Sequence, residues 1–274
     1  MSNFITPEEL YNHKNEYIIL DARGKYDYKL GHIDGAYAVD IEHDLSGSVG
    51  VHGGRHPLPN MDELSHTLGA FGLTRDSKVL VYDSWIFLCG RLWWTLKFLG
   101  ITHVKVLSGG IERWVREGYT LTEDETPLMD HSVPLDYKIQ QTMVMTRDEV
   151  LQSSKSKDHI IIDARAPERY SGSDVDTMDG MTGHVPSAIN YFFGHLYTIE
   201  GPRAKEELEE WFCPVLKNPR PIVTYCGSGV TACLTMLAMG EVGLTSALYV
   251  GSSSDWVTYE GFPLATGCEY IAAI

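Results

Sequence analysis

The segment Pro221–Met239, PIVTYCGSGVTACLTMLAM, decides the fold of this chain of 274 residues. It begins with a β-branched and aromatic run, Ile222–Tyr225, which is typical of a buried strand. Two glycines, at positions 227 and 229, then favour a tight turn, because glycine adopts backbone angles that other residues avoid. Leucine and alanine recur at helical spacing in Val230–Met239, which predicts a helix there.

Cys226 stands between the predicted strand and the predicted helix, at the carboxyl end of the strand. Unpaired N–H groups and the positive end of the helix dipole favour an anion at such a position. A thiolate is an anion, so this placement favours the nucleophilic form of Cys226. An isolated cysteine is more often a buried structural residue, so the interpretation depends on the rest of the chain.

Composition restricts the class of partner. The chain has 22 basic and 37 acidic residues and a net charge of −15, which argues against non-specific binding to nucleic acid or to anionic membranes. No apolar run reaches the roughly 18 residues of a spanning helix, and the first residues, MSNFITPEEL, lack the basic and apolar regions of a signal peptide. The five cysteines include no Cys-x-x-Cys pair and the histidines no His-Glu-x-x-His, which predicts reduced thiols, a cytoplasmic location and neither a metal nor another cofactor.

The sequence contains an internal repeat, with two copies of one unit. Three pairs of segments recur in the same order at an offset of 142 or 143 residues, namely Tyr17–Arg23 with Ile160–Arg165, Lys78–Asp83 with Pro221–Cys226, and Val106–Trp114 with Tyr249–Trp256. A fourth pair, Gly31–Ala36 with Gly183–Ala188, has an offset of 152, because the second copy carries about ten extra residues in the polar loop Ser171–Thr182. Such ordered matches indicate a duplicated domain.

Each copy alternates short β-branched strands with helical patterns. The further predicted helices are Met61–Gly72, Arg91–Leu99 and Lys205–Phe212. This alternation predicts an α/β fold of two tandem domains, each a mainly parallel sheet with helices on both faces. An acidic segment with two prolines, TEDETPLMDHSVPLDYKIQQ, predicts a linker and divides the chain into residues 1–121, 122–141 and 142–274.

The two copies differ at the position of the nucleophile. Asp83 occupies in the first copy the place that Cys226 occupies in the second. Active sites of parallel α/β folds lie beyond the carboxyl ends of the strands, which is where both residues fall. We therefore expect only the second domain to be catalytic.

The repeated Asp-Ala-Arg and Gly-His segments and the Cys226 loop resemble the rhodanese superfamily, and within it the tandem-domain sulfurtransferases, over essentially the whole chain. Its 3-mercaptopyruvate branch carries Cys-Gly-Ser-Gly-Val-Thr, as Cys226–Thr231 does, whereas its thiosulfate branch typically carries basic residues after the cysteine. The resemblance implies transfer of a sulfane sulfur from 3-mercaptopyruvate, through a Cys226 persulfide, to a thiol or cyanide, with release of pyruvate. The implied partners are a small-molecule sulfur donor and a thiol acceptor such as a small dithiol or a thioredoxin-like protein.

The predicted binding groups are loop amides and arginines. The loop can hold a thiolate or a persulfide through backbone N–H groups without a charged side chain; its residues are Gly227, Gly229, Val230 and Thr231. Arg165 ends a predicted strand, and its fork-shaped guanidinium suits a substrate carboxylate. The resemblance marks Arg165, and also Arg169, as substrate ligands. The alternatives are a salt bridge across the domain interface for Arg165 and simple solvent exposure for Arg169.

The resemblance also implies a Ser–His–Asp relay that handles the proton as pyruvate leaves. Ser228 matches its serine and His32 its histidine, while the acid stays unassigned. For His32 the alternative is a loop histidine that donates to a backbone carbonyl. Arg55, in the segment VHGGRHPLPN, is a further candidate for the cleft.

Several other functions stay open at this point. They are a thiosulfate sulfurtransferase, a persulfide carrier for a biosynthetic pathway and a non-catalytic binding module. Phosphatases and arsenate reductases of this fold need an arginine in the loop after the cysteine, and this chain has Gly, Ser, Gly, Val, Thr, Ala and Cys there, which argues against that class.

Overall fold

The computed structural model describes residues 2–174 and 176–268. They form two compact units, which are Met1–Gly47 with Leu58–Gln141 and Thr198–Pro202, and Ser48–Pro57 with Thr142–Tyr197 and Arg203–Ile274. This division differs from the contiguous one expected at 1–121 and 142–274 in two short segments. Residues 48–57 belong with the second unit and residues 198–202 with the first, and the expected linker 122–141 is part of the first unit.

The first unit contains a sheet of five parallel strands in the order β1-β5-β4-β2-β3. The strands are β1 (Phe4–Ile5), β2 (Ile18–Asp21), β3 (Ala36–Ala38), β4 (Val79–Tyr82) and β5 (Val104–Leu107). The helices are α1 (Pro7–His13), α2 (Lys25–Lys29), α3 (Met61–Ala70), α4 (Cys89–Phe98) and α5 (Gly110–Arg116). Helix α3 begins where the Asn60 side chain accepts from the amides of Asp62 and Glu63, a typical N-cap.

The second unit contains a sheet of four parallel strands in the order β11-β10-β6-β7. Its strands are β6 (Ile160–Asp163), β7 (Ala188–Asn190), β10 (Ile222–Tyr225) and β11 (Ala247–Leu248). Two short strands that lie between β7 and β10 in sequence, β8 (Tyr197–Thr198) and β9 (Gly201–Pro202), pair with each other in a separate sheet. The helices are α6 (Arg147–Ser156), α7 (Pro167–Ser171), α8 (Lys205–Trp211), α9 (Cys213–Leu216), α10 (Ala232–Glu241) and α11 (Ser252–Trp256). Short 3₁₀ turns occupy Lys14–Glu16, Gln141–Met143 and Phe193–His195.

The predicted α/β fold with mainly parallel sheets is confirmed. The four helices predicted from sequence are found as α3, α4, α8 and α10, each within two residues of its predicted ends. The strands are near-continuous apolar runs and are buried, as in other parallel sheets. Within the described part of the chain, no helix has both the length and the apolar character to cross a membrane.

The two units have equivalent hydrophobic cores. In the first, Trp114 packs in one cluster with Leu80 and Tyr82 of β4. In the second, Trp256 packs in one cluster with Val223 and Tyr225 of β10. Both tryptophans are nearly fully buried, so the duplication extends to the choice of the large side chain that fills each core.

An ion-paired clamp closes the carboxyl end of β2 in the first unit. Arg23 donates from Nε and Nη2 to the carboxylate of Asp21, and its Nη2 also donates to the carbonyl of Gly31 at 2.8 Å. The hydroxyl of Tyr82, on the adjacent strand, donates to Asp21 at 2.8 Å. The clamp thereby ties the segment that returns to the sheet at Gly31 to the carboxyl end of β2.

The second unit repeats this clamp. Arg165 donates from Nε and Nη2 to Asp163, and from Nη2 to the carbonyl of Gly183 at 2.7 Å. Both charged side chains are 0% exposed. Burial lowers the pKa of Arg165, but the charge and hydrogen bonds of Asp163 outweigh it and raise that pKa overall. The first unit has the same clamp although its loop carries Asp83 instead of a cysteine. The clamp therefore stabilises the fold.

A histidine stacks on a tyrosine beside each clamp. His32 lies on the ring of Tyr28 with centroids 3.6 Å apart, and its Nδ1 is 2.8 Å from the carbonyl oxygen of Tyr28. His184 repeats both contacts with Tyr170, with centroids 3.9 Å apart and Nδ1 2.8 Å from the carbonyl oxygen. The recurrence in both units indicates that His32 is a packing residue.

Removing the charge of Arg165 is expected to destabilise the fold. In Arg165→Met the carboxylate of Asp163 is left buried without its partner, which costs about 3–5 kcal/mol for buried pairs. Urea unfolding of the full chain measures this change. The matched control is Lys205→Met, which breaks an exposed pair with Glu209 and should cost less than about 1 kcal/mol. Equal unfolding free energies in the two variants would contradict the structural role.

Candidate active site

Cys226 lies at the carboxyl end of β10, in the loop that leads into α10. The loop comprises residues 226–231, since α10 begins at Ala232, two residues later than predicted. Gly229 has a φ of +75°, a conformation that residues with a side chain rarely adopt. Cys226 is 1% exposed, so its sulfur is held inside the site.

Three consecutive serines of α11 hold the backbone of the Cys226 loop. The hydroxyl of Ser252 accepts from the amide of Cys226 at 3.2 Å, and the hydroxyl of Ser253 donates to the carbonyl of Cys226 at 2.8 Å. The amide of Ser254 donates to the carbonyl of Gly227 at 2.9 Å. These bonds satisfy backbone groups that would otherwise be buried without partners.

Ser252 adopts a backbone conformation that favours glycine. Its φ is +54°, and Gly110, its counterpart in the first unit, has a φ of +62°. A methyl group on Gly110 would lie 2.6 to 2.8 Å from three carbonyl oxygens, so the first unit requires glycine there. The second unit has a serine in this strained conformation, and the hydroxyl of Ser252 accepts a hydrogen bond from the backbone amide of Cys226.

The segment 48–57 brings side chains to the Cys226 loop from a distant part of the sequence. The amide of Gly53 donates to Asp255 at 2.7 Å, and the amide of Arg55 donates to the hydroxyl of Ser254 at 3.1 Å. Nδ1 of His56 lies 2.8 Å from the hydroxyl oxygen of Ser228. In the tautomer protonated at Nε2, His56 accepts the hydroxyl proton of Ser228.

The prediction that His32 pairs with Ser228 therefore needs correction. The ring nitrogens of His32 lie 2.8 and 3.1 Å from the carbonyl oxygens of Tyr28 and Asp124, and the histidine at Ser228 is His56. Sequence reasoning missed His56 because 172 residues separate it from Ser228. The sequence signal for His56 is its position next to Arg55, in a segment that contains glycines and prolines. From the sequence alone, only the arginine of that segment is named as a candidate for the cleft.

Six charged side chains form an alternating series of ion pairs beside the loop, which we call the arginine–aspartate network. Its members, in order of contact, are Arg55, Asp179, Arg169, Asp176, Arg165 and Asp163. The side chains of Arg165 and of the three aspartates are at most 1% exposed, whereas those of Arg55 and Arg169 are 38% and 27% exposed. The part of the network that solvent reaches is therefore positive.

Arg169 and Arg165 have different positions in this network. Arg169 is partly exposed and bonds Asp176 from Nε at 3.0 Å, and no described residue accepts a hydrogen bond from its Nη1. Burial raises the pKa of Asp176, but the bonds from Arg169 outweigh it and leave that pKa below its ordinary value. Arg165 is fully buried in its clamp, so the prediction that it binds a substrate carboxylate is replaced by a structural role.

Asp179 lies directly against Gly227. Its Oδ1 accepts from Nε of Arg55 at 2.8 Å and lies 2.7 Å from Nη2 of the same arginine, and its Oδ2 accepts from Nη2 of Arg169. A methyl group on Gly227 would overlap Oδ2 of Asp179 and lie 3.1 Å from Nη2 of Arg169. Glycine is therefore required at position 227 by the space that the carboxylate occupies.

The first unit has a loop of the same length with an anion already bound. Asp83 stands at the place of Cys226, and six residues later α4 begins at Cys89, as α10 begins at Ala232. Oδ2 of Asp83 accepts from the amides of Leu88 and Cys89 at 2.5 and 3.1 Å. Burial raises the pKa of Asp83 to about 6 against the opposing effect of these amides.

The remaining cysteines lack this setting. Cys233 lies one helical turn inside α10, is buried, and donates to the carbonyl of Gly229 at 3.4 Å. Burial raises the pKa of Cys89 well above its ordinary value, which disfavours a thiolate there. Among residues 2–174 and 176–268, no three His, Cys, Asp or Glu side chains are placed to bind a metal ion.

Two substitutions at Ser252 should separate backbone strain from hydrogen bonding. Ser252→Ala loses the bond to the Cys226 amide and keeps the strain, whereas Ser252→Gly loses the bond and relieves the strain. Strain of this kind is worth about 1–3 kcal/mol, so Ser252→Gly should unfold at a higher urea concentration than Ser252→Ala. Both should lose activity, because the loop is less firmly held. A glycine variant less stable than the alanine variant would contradict the assignment of strain.

Comparison with known proteins gives one consistent family. The model of the rhodanese-like domain matches residues 6–117 and 146–259. A probable 3-mercaptopyruvate sulfurtransferase of Pseudomonas aeruginosa is 38% identical over 88% of this chain and 86% of its own length. A thiosulfate sulfurtransferase of Gallus gallus is 31% identical over 86% of this chain and 81% of its own. The crystal structure of SseA from Escherichia coli, described as a 3-mercaptopyruvate sulfotransferase, has a TM-score of 0.78 and 27% identity, covering 92% of this chain and 99% of that one. The chain belongs to the rhodanese family, with one rhodanese-like domain in each half.

Proposed function

We propose that the chain is a sulfurtransferase that accepts a sulfane sulfur from 3-mercaptopyruvate onto Cys226 and passes it to a thiol or to cyanide. The observation that carries this proposal is the pair formed by Ser228 and His56 next to Cys226. A hydroxyl that can both donate and recover a proton suits a donor that leaves as an enolate. Its relatives in Pseudomonas aeruginosa and Escherichia coli carry the corresponding names.

The way in which the loop of the first unit binds a carboxylate supports the proposal that the equivalent loop of the second unit binds an anion. Two amides at the start of α4 hold the carboxylate of Asp83. The equivalent amides of the second loop belong to Thr231 and Ala232, because both loops have the same length. An anionic sulfur on Cys226 would find the same two donors and the same helix terminus.

The proposed reaction begins with the thiolate of Cys226. It attacks the thiol sulfur of 3-mercaptopyruvate and forms an S–S bond, while the C–S bond breaks and leaves its electron pair on carbon. The resulting pyruvate enolate takes a proton from the hydroxyl of Ser228, and Nδ1 of His56 restores that proton after His56 has taken up the S–H proton of the donor, which leaves the outer sulfur as an anion. The products are pyruvate and a Cys226 persulfide, whose outer sulfur a thiolate or cyanide then removes.

Two arginines are suited to bind the substrate carboxylate. Arg55 and Arg169 are partly exposed members of the arginine–aspartate network, and within the described residues neither uses its Nη1 in a hydrogen bond. Guanidinium groups bind carboxylates through paired N–H donors. The resemblance implied that Arg165 and Arg169 bind the substrate carboxylate. Arg169 keeps that role in this proposal, and Arg55 takes the place of Arg165.

The sulfur acceptor and the location are also part of this proposal. All five cysteines are free thiols, as is usual in a reducing compartment such as the cytoplasm. A small dithiol or a thioredoxin-like protein would supply the accepting thiolate. A persulfide carrier without donor turnover would need the Cys226 loop but not the proton relay, so the Ser228–His56 pair favours the enzyme.

Cys226→Ser should abolish sulfur transfer. Loss of the nucleophile removes the covalent step, and we expect turnover to fall roughly 10³-fold or more. Mass spectrometry of the protein after exposure to 3-mercaptopyruvate should show one added sulfur in the unmodified chain and none in the variant. Cys268→Ser, at an exposed thiol, is the control and should keep its activity. An added sulfur in Cys226→Ser would contradict the proposal.

The unmodified enzyme should prefer 3-mercaptopyruvate over thiosulfate. We expect a ratio of kcat/KM of at least about tenfold, equivalent to about 1.4 kcal/mol. His56→Gln should lower kcat for 3-mercaptopyruvate by roughly 10²-fold and that for thiosulfate much less, because sulfite leaves without needing a proton.

The matched control for His56 is His52→Gln on the same segment. His52 stacks on Tyr259 with centroids 4.1 Å apart and bonds Thr258, so its loss should leave the donor ratio unchanged. Steady-state assays with both donors measure these ratios. A wild-type preference for thiosulfate would favour the thiosulfate sulfurtransferase, and equal losses for both donors in His56→Gln would contradict the relay.

A further inference from the structure

A buried carboxylate lies beside the nucleophile loop of a site that we expect to bind anions. The side chain of Asp179 is 0% exposed, and Oδ2 occupies the space next to the α-carbon of Gly227. Gly227 directly follows Cys226. Asp179 therefore places a negative charge against the residue that follows the nucleophile.

The two arginines on Asp179 do not remove this effect at the loop. Arg55 and Arg169 balance the carboxylate within the arginine–aspartate network, which contains three positive and three negative groups. Their side chains are the exposed part of the network, and at Gly227 the carboxylate of Asp179 lies nearer than the closest arginine atom, Nη2 of Arg169. The site thus has a positive outer part and a negative group next to the nucleophile loop.

We propose that Asp179 is a specificity-determining residue that selects donors by the position of their charge. This inference rests on the function proposed above and extends it to the choice of donor. A donor whose single carboxylate lies away from the transferred sulfur binds to Arg55 and Arg169. A donor that carries two negative charges on the group bonded to that sulfur is repelled by Asp179.

The two natural types of donor differ in this respect. In 3-mercaptopyruvate the carboxylate carries one charge and is three bonds away from the sulfur. In thiosulfate the two charges are shared with the sulfonate-type group that is bonded directly to the transferred sulfur. Like charges a few ångströms apart in a partly buried site repel strongly, because water screens them less than in solution. Asp179 thus discriminates against thiosulfate more than against 3-mercaptopyruvate.

A merely structural role for Asp179 has a different consequence. If the carboxylate only held Arg55 and Arg169 in place, its loss would weaken both arginines. The kcat/KM of both donors would then fall, since each needs a bound anionic group. Selection by charge instead changes the two donors in opposite directions, and this difference makes the proposal testable.

The decisive variant is Asp179→Asn, which keeps the shape of the side chain and an acceptor oxygen. We expect kcat/KM for thiosulfate to rise and that for 3-mercaptopyruvate to fall, with a change of at least tenfold in their ratio. The matched control is Asp176→Asn, which removes a charge from the same network and also contacts Arg169. The control should change the ratio less than threefold. A ratio unchanged in Asp179→Asn, or equally changed in Asp176→Asn, overturns the proposal.

A second measurement needs no variant and applies even if Asp179→Asn does not fold. Pyruvate and sulfate are tested as competitive inhibitors of the unmodified enzyme. Pyruvate, with one distant charge, should inhibit at a concentration at least tenfold lower than sulfate, with two charges near the loop. Stronger inhibition by sulfate overturns the proposal. Failure of the wild type to turn over 3-mercaptopyruvate refutes the proposed function instead, so the two failures are distinguishable.

Discussion

The buried ion pair between Asp163 and Arg165 is the interaction on which the site of the second unit depends. It joins the end of β6 to the carbonyl of Gly183, and Nη1 of the same arginine lies 3.4 Å from Asp176. From there the charges alternate outward to Arg169 and the groups beyond it. Each buried charge has an opposite partner, which compensates for its loss of hydration, so the network is held in place from the sheet outward.

Comparison of the two units separates the residues that stabilise the fold from those that differ at the site. The clamp, the stacked histidine and the core tryptophan occur in both units, and so they belong to the frame. The loops differ where the chemistry differs. The carboxylate of Asp83 accepts from two amides of its own loop, and Cys226 stands at the same place in the second loop. The two units also differ at the position with positive φ in α5 and α11, which is Gly110 in the first unit and Ser252 in the second.

The second loop combines neutral groups near the sulfur with charged groups farther out. Ser228 and the backbone amides of the loop are hydrogen-bonding groups without a net charge, and the hydroxyl of Ser228 bonds Nδ1 of His56. The guanidiniums of Arg55 and Arg169 both pair with the carboxylate of Asp179, which is the network member nearest to Gly227. The solvent-exposed part of this network is therefore positive, whereas the group nearest to the loop is a carboxylate.

The sequence by itself determined the local structure and the duplication. Strand, loop and helix around Cys226 follow from side-chain periodicity and glycine positions, which act over a few residues. Only the tertiary structure decided which side chains meet across longer distances. His56, not His32, reaches Ser228, and Arg165 is buried in a clamp instead of facing a substrate. The path of a loop through space selects such partners, and no spacing along the chain encodes a contact between residues 172 positions apart.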